Sequence, residues 1–84
     1  MKVVVPFTLK FLSDKTTVSK STIREWLKRE VITAVGENEQ GYPVFDSSSV
    51  ERVMLIKKCR KAGYKLSWID NKSNEILKKE LEKN

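Results

Sequence analysis

The sequence predicts a mainly α-helical domain with a small β-hairpin, and three observations support that prediction. Apolar residues recur at helical spacing in four segments, each preceded by a Ser, Thr or Asp that suits a helix N-cap. A β-branched run over 31–35 is followed by turn residues and by a second extended stretch. A length of 84 residues suffices for one domain with a thin core.

The chain begins with a predicted short strand and a first helix. Lys2 to Val5 is β-branched and predicts a strand, which Pro6 ends. Thr8 supplies an N-cap for a helix that runs to about Lys15. The apolar face of this helix is predicted to hold Leu9, Phe11 and Leu12.

The segment 16–30 predicts a turn and a second helix. Thr17 stands where such turns often need a left-handed residue, and Ser19 is the hydroxyl N-cap of a helix over 20–30. One face of that helix holds Ile23, Trp26 and Leu27, and the other holds Lys20, Ser21, Arg24 and Lys28. A helix buried on one side and cationic on the other suits a DNA major groove, although an ordinary amphipathic surface helix has the same pattern.

A β-hairpin is predicted to follow the second helix. Val31 to Val35 fits one strand, 36–41 has turn chemistry, and Tyr42 to Phe45 fits the returning strand. Pro43 lacks an amide proton and must lie at a position that needs no hydrogen bond. Helix, turn, helix and hairpin in this order predict a winged helix-turn-helix, in which the hairpin is the wing.

Asp46 is the predicted N-cap of a third helix, with Ser48 and Glu51 as an alternative capping box, and Gly63 is its left-handed end. Its predicted buried stripe is Val50, Val53, Leu55, Ile56, Cys59 and Ala62. On the opposite face, the cations 57, 58, 60 and 61 predict a solvated surface, with phosphate contact as the alternative. A short helical turn at 67–69 follows.

We predict two segments, a winged helix-turn-helix over 1–70 and a short amphipathic helix within 71–84. The last helix, over 73–83, would either brace the domain or form a small dimer contact, and the brace is favoured. Residues 1–68 contain thirteen Lys and Arg against seven Asp and Glu, whereas residues 69–84 contain four of each. The net charge of +6 therefore lies within residues 1–68, where it would attract a polyanion.

Composition also excludes several classes of protein. With no His and one Cys, the chain has no Ser–His or Cys–His catalytic pair, and a structural zinc site is implausible. Asp14, Asp46 and Asp70 suit a helix end, a cap and a linker rather than paired acids, so we expect no enzyme and no cofactor. No apolar run approaches the length of a membrane span and no secretory signal is visible, so the expected location is the cytoplasm.

Taken in order, these elements resemble the N-terminal DNA-binding domain of MerR-type regulators over about residues 7–69. Phage excisionases and small partition proteins share the same winged-helix plan. The matching residues are Thr8, Leu9, Leu12, Val18, Ser19, Thr22 to Arg24, Gly41, Tyr42, Phe45, Asp46, Val50 to Arg52, Ile56, Lys57, Gly63 to Leu66 and Ile69.

The resemblance implies that double-stranded DNA is the partner. Lys20 and Arg24 would lie at the major groove, while Ser21 and Thr22 would contact base edges or phosphate. Tyr42 would lie near the backbone, and Arg52 is either a phosphate contact or a surface cation. The full set of expected DNA-binding residues is Ser19, Lys20, Ser21, Thr22, Arg24, Lys28, Tyr42 and Arg52.

One small domain would bind a half-site weakly, so specificity would need either a homodimer or a cooperative array on DNA. The chain has no room for the effector domain of metal- or drug-sensing family members, so no small-molecule effector is expected.

The chain also departs from the family pattern. A carboxylate, Glu25, replaces one of the usual aromatic pair of the second helix, and Pro43 stands where the wing usually carries an arginine. Glu37 and Glu39 add negative charge to the wing tip, where it would repel the DNA backbone. Two functions stay open: DNA binding in transcription, excision or partition, and a protein-interaction module (antirepressor or adaptor) that has lost DNA affinity.

Overall fold

The computed structural model describes residues 7–83, so the strand predicted over Lys2 to Val5 lies outside the described residues. The described chain contains five helices and one two-stranded antiparallel sheet. Their bounds are α1 Leu9–Thr16, α2 Lys20–Lys28, β1 Gly36–Glu37, β2 Pro43–Val44, α3 Ser47–Lys61, α4 Leu66–Ile69 and α5 Asn74–Glu82. The mainly α-helical winged helix-turn-helix predicted from the sequence is confirmed.

Helices α1 and α2 begin at the predicted caps. The Thr8 hydroxyl accepts a hydrogen bond from the Phe11 amide at 3.1 Å, and the Ser19 hydroxyl accepts one from the Thr22 amide at 3.2 Å. Between the helices, Thr17 takes the predicted left-handed conformation with φ of 60°. Leu12 is buried, but Phe11 is 42% exposed and contacts Phe7 with a ring-centroid distance of 4.4 Å. Phe11 is therefore not a core residue, contrary to the prediction.

Helix α2 ends at Lys28 and not at Glu30. Glu30 takes a left-handed φ of 60°, and the Val31 amide donates back to the Trp26 carbonyl at 3.0 Å. This is the helix-ending geometry that glycine usually supplies. With Glu in that position, the sequence carried no stop signal.

The predicted strand over 31–35 is wrong, because the first wing strand is Gly36–Glu37. Val31 and Ile32 are both buried, and a half-buried strand does not point two successive side chains into the core. Glu37 lies opposite Pro43, and the Val35 amide donates to the Val44 carbonyl at 2.9 Å. The wing is thus shorter than predicted and displaced toward its tip.

Helix α3 begins with a capping box between Asp46 and Ser49, not between Ser48 and Glu51. Hydrogen bonds from the Ser48 side chain and the Ser49 amide lower the pKa of Asp46. At the other end, Gly63 has φ of 100°, and the Tyr64 amide donates to the Cys59 carbonyl. This ending was predicted, although Ala62 is exposed rather than buried.

Helix α5 packs along α3. Leu77 is fully buried, the Tyr64 hydroxyl donates to Glu80 at 2.9 Å, and Lys78 pairs with Glu51. The predicted bracing role therefore matches these contacts, whereas the division of the chain at residue 70 remains a prediction. The fully buried core side chains are Leu12, Ile23, Phe45, Val53, Ile56, Cys59, Ile69 and Leu77.

Candidate nucleic-acid interface

Helix α2 has one buried face and one cationic face, as its residue spacing predicts. Ile23 and Trp26 are buried in the core. Lys20, Arg24 and Lys28 are exposed, and within residues 7–83 none of them forms an ion pair or a side-chain hydrogen bond. Successive members are four residues apart, so they lie in one row along the helix. Their charges are available to an external anion.

Three hydroxyl groups lie at the start of α2. The Ser19 hydroxyl caps the helix and donates to the Thr22 hydroxyl at 2.8 Å. It also lies 3.2 Å from the Ser21 hydroxyl. Ser19 is committed to its own helix, whereas Ser21 is exposed beside the row of cations. The hydroxyls thus extend the polar surface of α2 toward its N-terminus.

A groove of about 640 Å³ connects α2 to the wing. It is lined by Thr8, Leu9, Lys10, Lys20, Arg24, Asn38, Tyr42 and Pro43. Three elements meet here: the start of α1, the first two turns of α2, and the hairpin. The groove brings Tyr42 beside two of the predicted α2 cations. It also adds Lys10 and Asn38, which sequence analysis missed because no local pattern relates α1 to the wing tip.

The wing tip is held by its own asparagine. The Asn38 side-chain oxygen accepts hydrogen bonds from the amides of Gln40 and Tyr42, at 3.0 and 2.9 Å. Gly41 has φ of 82°, which closes the turn without the strain that a larger residue would cause. Tyr42 is 64% exposed as a result. A locally fixed turn therefore presents the Tyr42 ring next to α2.

The carboxylates near this surface differ in their partners. Glu25 on α2 pairs with Arg29 at 3.1 Å, so its charge is offset within the helix. Glu37 and Glu39 are exposed on the wing, and in the described part of the chain no cation pairs with them. The unfavourable charge predicted for Glu25 is thus reduced, while that of the wing tip remains.

Arg52 lies away from this groove and is bonded within the protein. Its guanidinium donates to the carbonyls of Val31 at 2.9 Å, Lys72 at 2.6 Å and Ile69 at 3.4 Å, and to the Asn74 side chain at 3.2 Å. Burial lowers its pKa, partly offset by the charges of neighbouring groups. A guanidinium with four of its N–H groups in use connects α3 to the segments around α2 and α5. It is a poor candidate for the phosphate contact proposed from the resemblance.

Two other α3 cations also contact protein oxygens. Lys57 donates to the Thr16 carbonyl and the Thr17 hydroxyl, and Arg60 donates to the Tyr64 carbonyl at 3.0 Å. Lys58 and Lys61 are exposed, in agreement with the solvated face that was predicted. The partners of Lys57 are distant in sequence, so no local pattern pointed to them.

Burial raises the pKa of Cys59, which is fully enclosed by the core. Residues 7–83 contain no group of His, Cys, Asp and Glu side chains arranged to hold a metal ion. Within the same residues, every helix is too short or too polar to cross a membrane.

Comparison with known proteins gives two matches. The family model described as MerR HTH family regulatory protein matches residues 7–75. The mercuric resistance operon regulatory protein of Bacillus cereus is 34% identical over 59 residues, which are 70% of this chain and 45% of that protein. The chain thus spans less than half the length of that relative. No solved structure matches the chain.

Proposed function

Because this chain belongs to the MerR family of helix-turn-helix regulatory proteins, we propose that it binds double-stranded DNA sequence-specifically and regulates transcription. One observation carries the proposal: α2 presents Lys20, Arg24 and Lys28 in an exposed row without protein partners. The opposite face of the helix is fixed in the core. A rigid helix with uncommitted cations is what insertion into a major groove requires.

Each part of the interface has a distinct role in this proposal. Arg24 lies in the second turn of α2 and has the fork of donors that suits guanine edges, while Lys20 and Lys28 offer point charges for phosphate. Ser21 and Thr22 contact base edges or phosphate near the N-terminus of α2. Tyr42 lies on the wing at the other side of the groove and contacts the DNA backbone from there.

The test is a fluorescence anisotropy titration with duplex DNA from the region upstream of the gene and with a scrambled duplex. We expect tighter binding to the native duplex and a linear fall of log affinity with log salt concentration. Equal affinity for both duplexes would contradict sequence specificity, and no binding at low salt would contradict DNA binding altogether.

The variant Arg24→Met tests the role of Arg24 in the same titration. Met has nearly the helix propensity of Arg but no hydrogen-bond donors. We expect its affinity for the native duplex to fall by about tenfold or more, with less change for the scrambled duplex. Lys79→Met on α5 is the control, since Lys79 is an exposed cation on another helix and its loss changes the net charge equally. Equal effects of the two variants would mean that Arg24 acts only through net charge.

A second candidate function is a protein-interaction module, and the exposed glutamates of the wing tip favour it. Glu37→Gln and Glu39→Gln distinguish the two candidates. For a DNA-binding wing, removing these charges strengthens binding to any duplex, because it removes repulsion from phosphate. For a protein-interaction module, it weakens a partner complex and leaves DNA binding absent.

A further inference from the structure

The turn between α1 and α2 contains a residue in a costly conformation. Thr17 has φ of 60° and ψ of 20°, in the left-handed region that β-branched residues rarely adopt. Glycine would take this conformation without strain. The turn determines where α2 begins, so contacts with other residues must stabilise the left-handed conformation of Thr17.

Local side chains supply part of the restraint. The Ser13 hydroxyl donates to the Val18 carbonyl at 2.6 Å, and the Thr16 hydroxyl donates to the Leu12 carbonyl at 2.7 Å. The Thr17 hydroxyl donates to the Thr16 carbonyl at 2.6 Å. These bonds tie the turn to α1, but they do not tie it to the rest of the domain.

Lys57 of α3 provides the connection to the body of the domain. Its ammonium donates to the Thr16 carbonyl at 3.2 Å and to the hydroxyl of Thr17 itself. The Thr16 carbonyl belongs to the last turn of α1, where carbonyls lack helical partners and a positive charge is favourable. Lys57 therefore contacts the turn at the strained residue and at the end of the preceding helix.

We infer that Lys57 is a positioning residue that holds the Thr17 turn and thereby fixes the N-terminal half of α2 for DNA binding. The effect on DNA rests on the proposed function, whereas the effect on the turn does not. Lys57 acts through Thr16 and Thr17 and not through phosphate, since two of its three N–H donors already bind oxygens of the turn. The neighbouring Lys58 is exposed and forms no ion pair or hydrogen bond within residues 7–83, so it is a matched control.

The experiment compares wild type with Lys57→Met, Lys57→Arg, Lys58→Met, Thr17→Gly and the double variant Lys57→Met/Thr17→Gly. Two quantities are measured: affinity for the native duplex at several salt concentrations, and amide hydrogen exchange at residues 16–19 by NMR without DNA. Met keeps the aliphatic stem of the side chain and removes the donors and the positive charge, and Lys58→Met controls for the loss of charge.

We expect Lys57→Met to bind the native duplex about three- to tenfold more weakly than Lys58→Met, because only part of the free energy of its two lost hydrogen bonds is needed to hold α2 in place. Its salt slope should equal that of Lys58→Met, and its amides at 16–19 should exchange faster. Lys57→Arg should restore both quantities. The glycine of the double variant should recover affinity, because it removes the strain that Lys57 opposes.

The two hypotheses fail in different ways. If wild type binds no duplex, the proposed function fails, and amide exchange still decides the role of Lys57. If wild type binds but Lys57→Met matches Lys58→Met in affinity and exchange, the positioning role is wrong. A salt slope smaller by about 0.9 in Lys57→Met alone would make Lys57 a phosphate contact and overturn the inference.

Discussion

Helices α2 and α3 both carry clustered cations, but the two sets are used differently. On α2, Lys20, Arg24 and Lys28 project from a helix whose other side is buried, and they have no partners within residues 7–83. On α3, Arg52 and Lys57 donate to backbone carbonyls of other segments. Arg52 and Lys57 are thus part of the internal hydrogen bonding of the fold, whereas the three cations of α2 are open to a ligand.

The difference shows that positive charge alone does not identify a nucleic-acid interface. A cation that satisfies buried carbonyls contributes to the free energy of unfolding, and its removal leaves acceptors without donors. An exposed, unpaired cation contributes little to folding and is free to neutralise phosphate. The two helices should therefore respond oppositely when matched residues are replaced.

The largest expected effect is the difference in the free energy of unfolding between Arg52→Met and Arg24→Met. Arg52→Met should lower the free energy of unfolding by about 2 kcal/mol, because it removes charged hydrogen bonds to partly buried carbonyls. Arg24→Met should change it by less than about 0.5 kcal/mol, as expected for an exposed position. Urea denaturation followed by circular dichroism measures both values.

The same pair should behave in the reverse way toward DNA. At a temperature where both proteins are folded, Arg52→Met should have the same slope of log affinity against log salt concentration as wild type. Arg24→Met should instead lose affinity for the native duplex. If Arg52→Met reduced the salt slope while remaining folded, Arg52 would contact phosphate, which is one of the two roles that the sequence left open. The contrast between the helices would then be wrong.

A smaller effect is expected from the single lysine at the end of the α2 row. Lys28→Ala should weaken binding to native and scrambled duplexes alike and should reduce the salt slope by about 0.9, the contribution of one phosphate. Lys58→Ala on α3 is the control and should leave the slope unchanged. Anisotropy titrations over a range of salt concentrations measure both slopes. Equal slopes for the two variants would show that Lys28 makes no direct contact.

Helix ends could be predicted from the sequence where a capping residue marks them. The N-caps Thr8, Ser19 and Asp46 and the left-handed Gly63 mark helix ends through the chemistry of single residues. Glu30 takes the same left-handed geometry without the glycine that signals it. The end of α2 and the position of the first wing strand were therefore predicted wrongly.

The α2 surface was predictable because helical periodicity alone separates its buried and exposed faces. The roles of Arg52 and Lys57 were not predictable, since their partners lie 21 and 41 residues away in sequence. The groove also depends on tertiary packing, because it joins Lys10 of α1 to Asn38 and Tyr42 of the wing. Such contacts follow from the fold as a whole and leave no trace in the spacing of nearby residues.

The smallest expected effect is a pH dependence of stability that comes from Glu80 on α5. The hydrogen bond from the Tyr64 hydroxyl, followed by that from Lys83, holds the pKa of Glu80 below its ordinary value. A carboxyl with a lowered pKa in the folded state stabilises the fold above its unfolded pKa, about 4.3. That contribution is lost as pH falls through the folded pKa.

Tyr64→Phe should therefore lose less stability than wild type between about pH 6 and pH 3, because the ionised form of Glu80 is no longer favoured by this bond. Tyr42→Phe removes the same hydroxyl from the wing and should keep the wild-type pH profile. Urea denaturation at several pH values measures the difference. Parallel profiles for wild type and Tyr64→Phe would show that the bond to Glu80 adds nothing in solution. A flatter profile in Tyr64→Phe alone would show that acid destabilises the contact between α3 and α5, and that the wing hydroxyl does not contribute to the pH dependence.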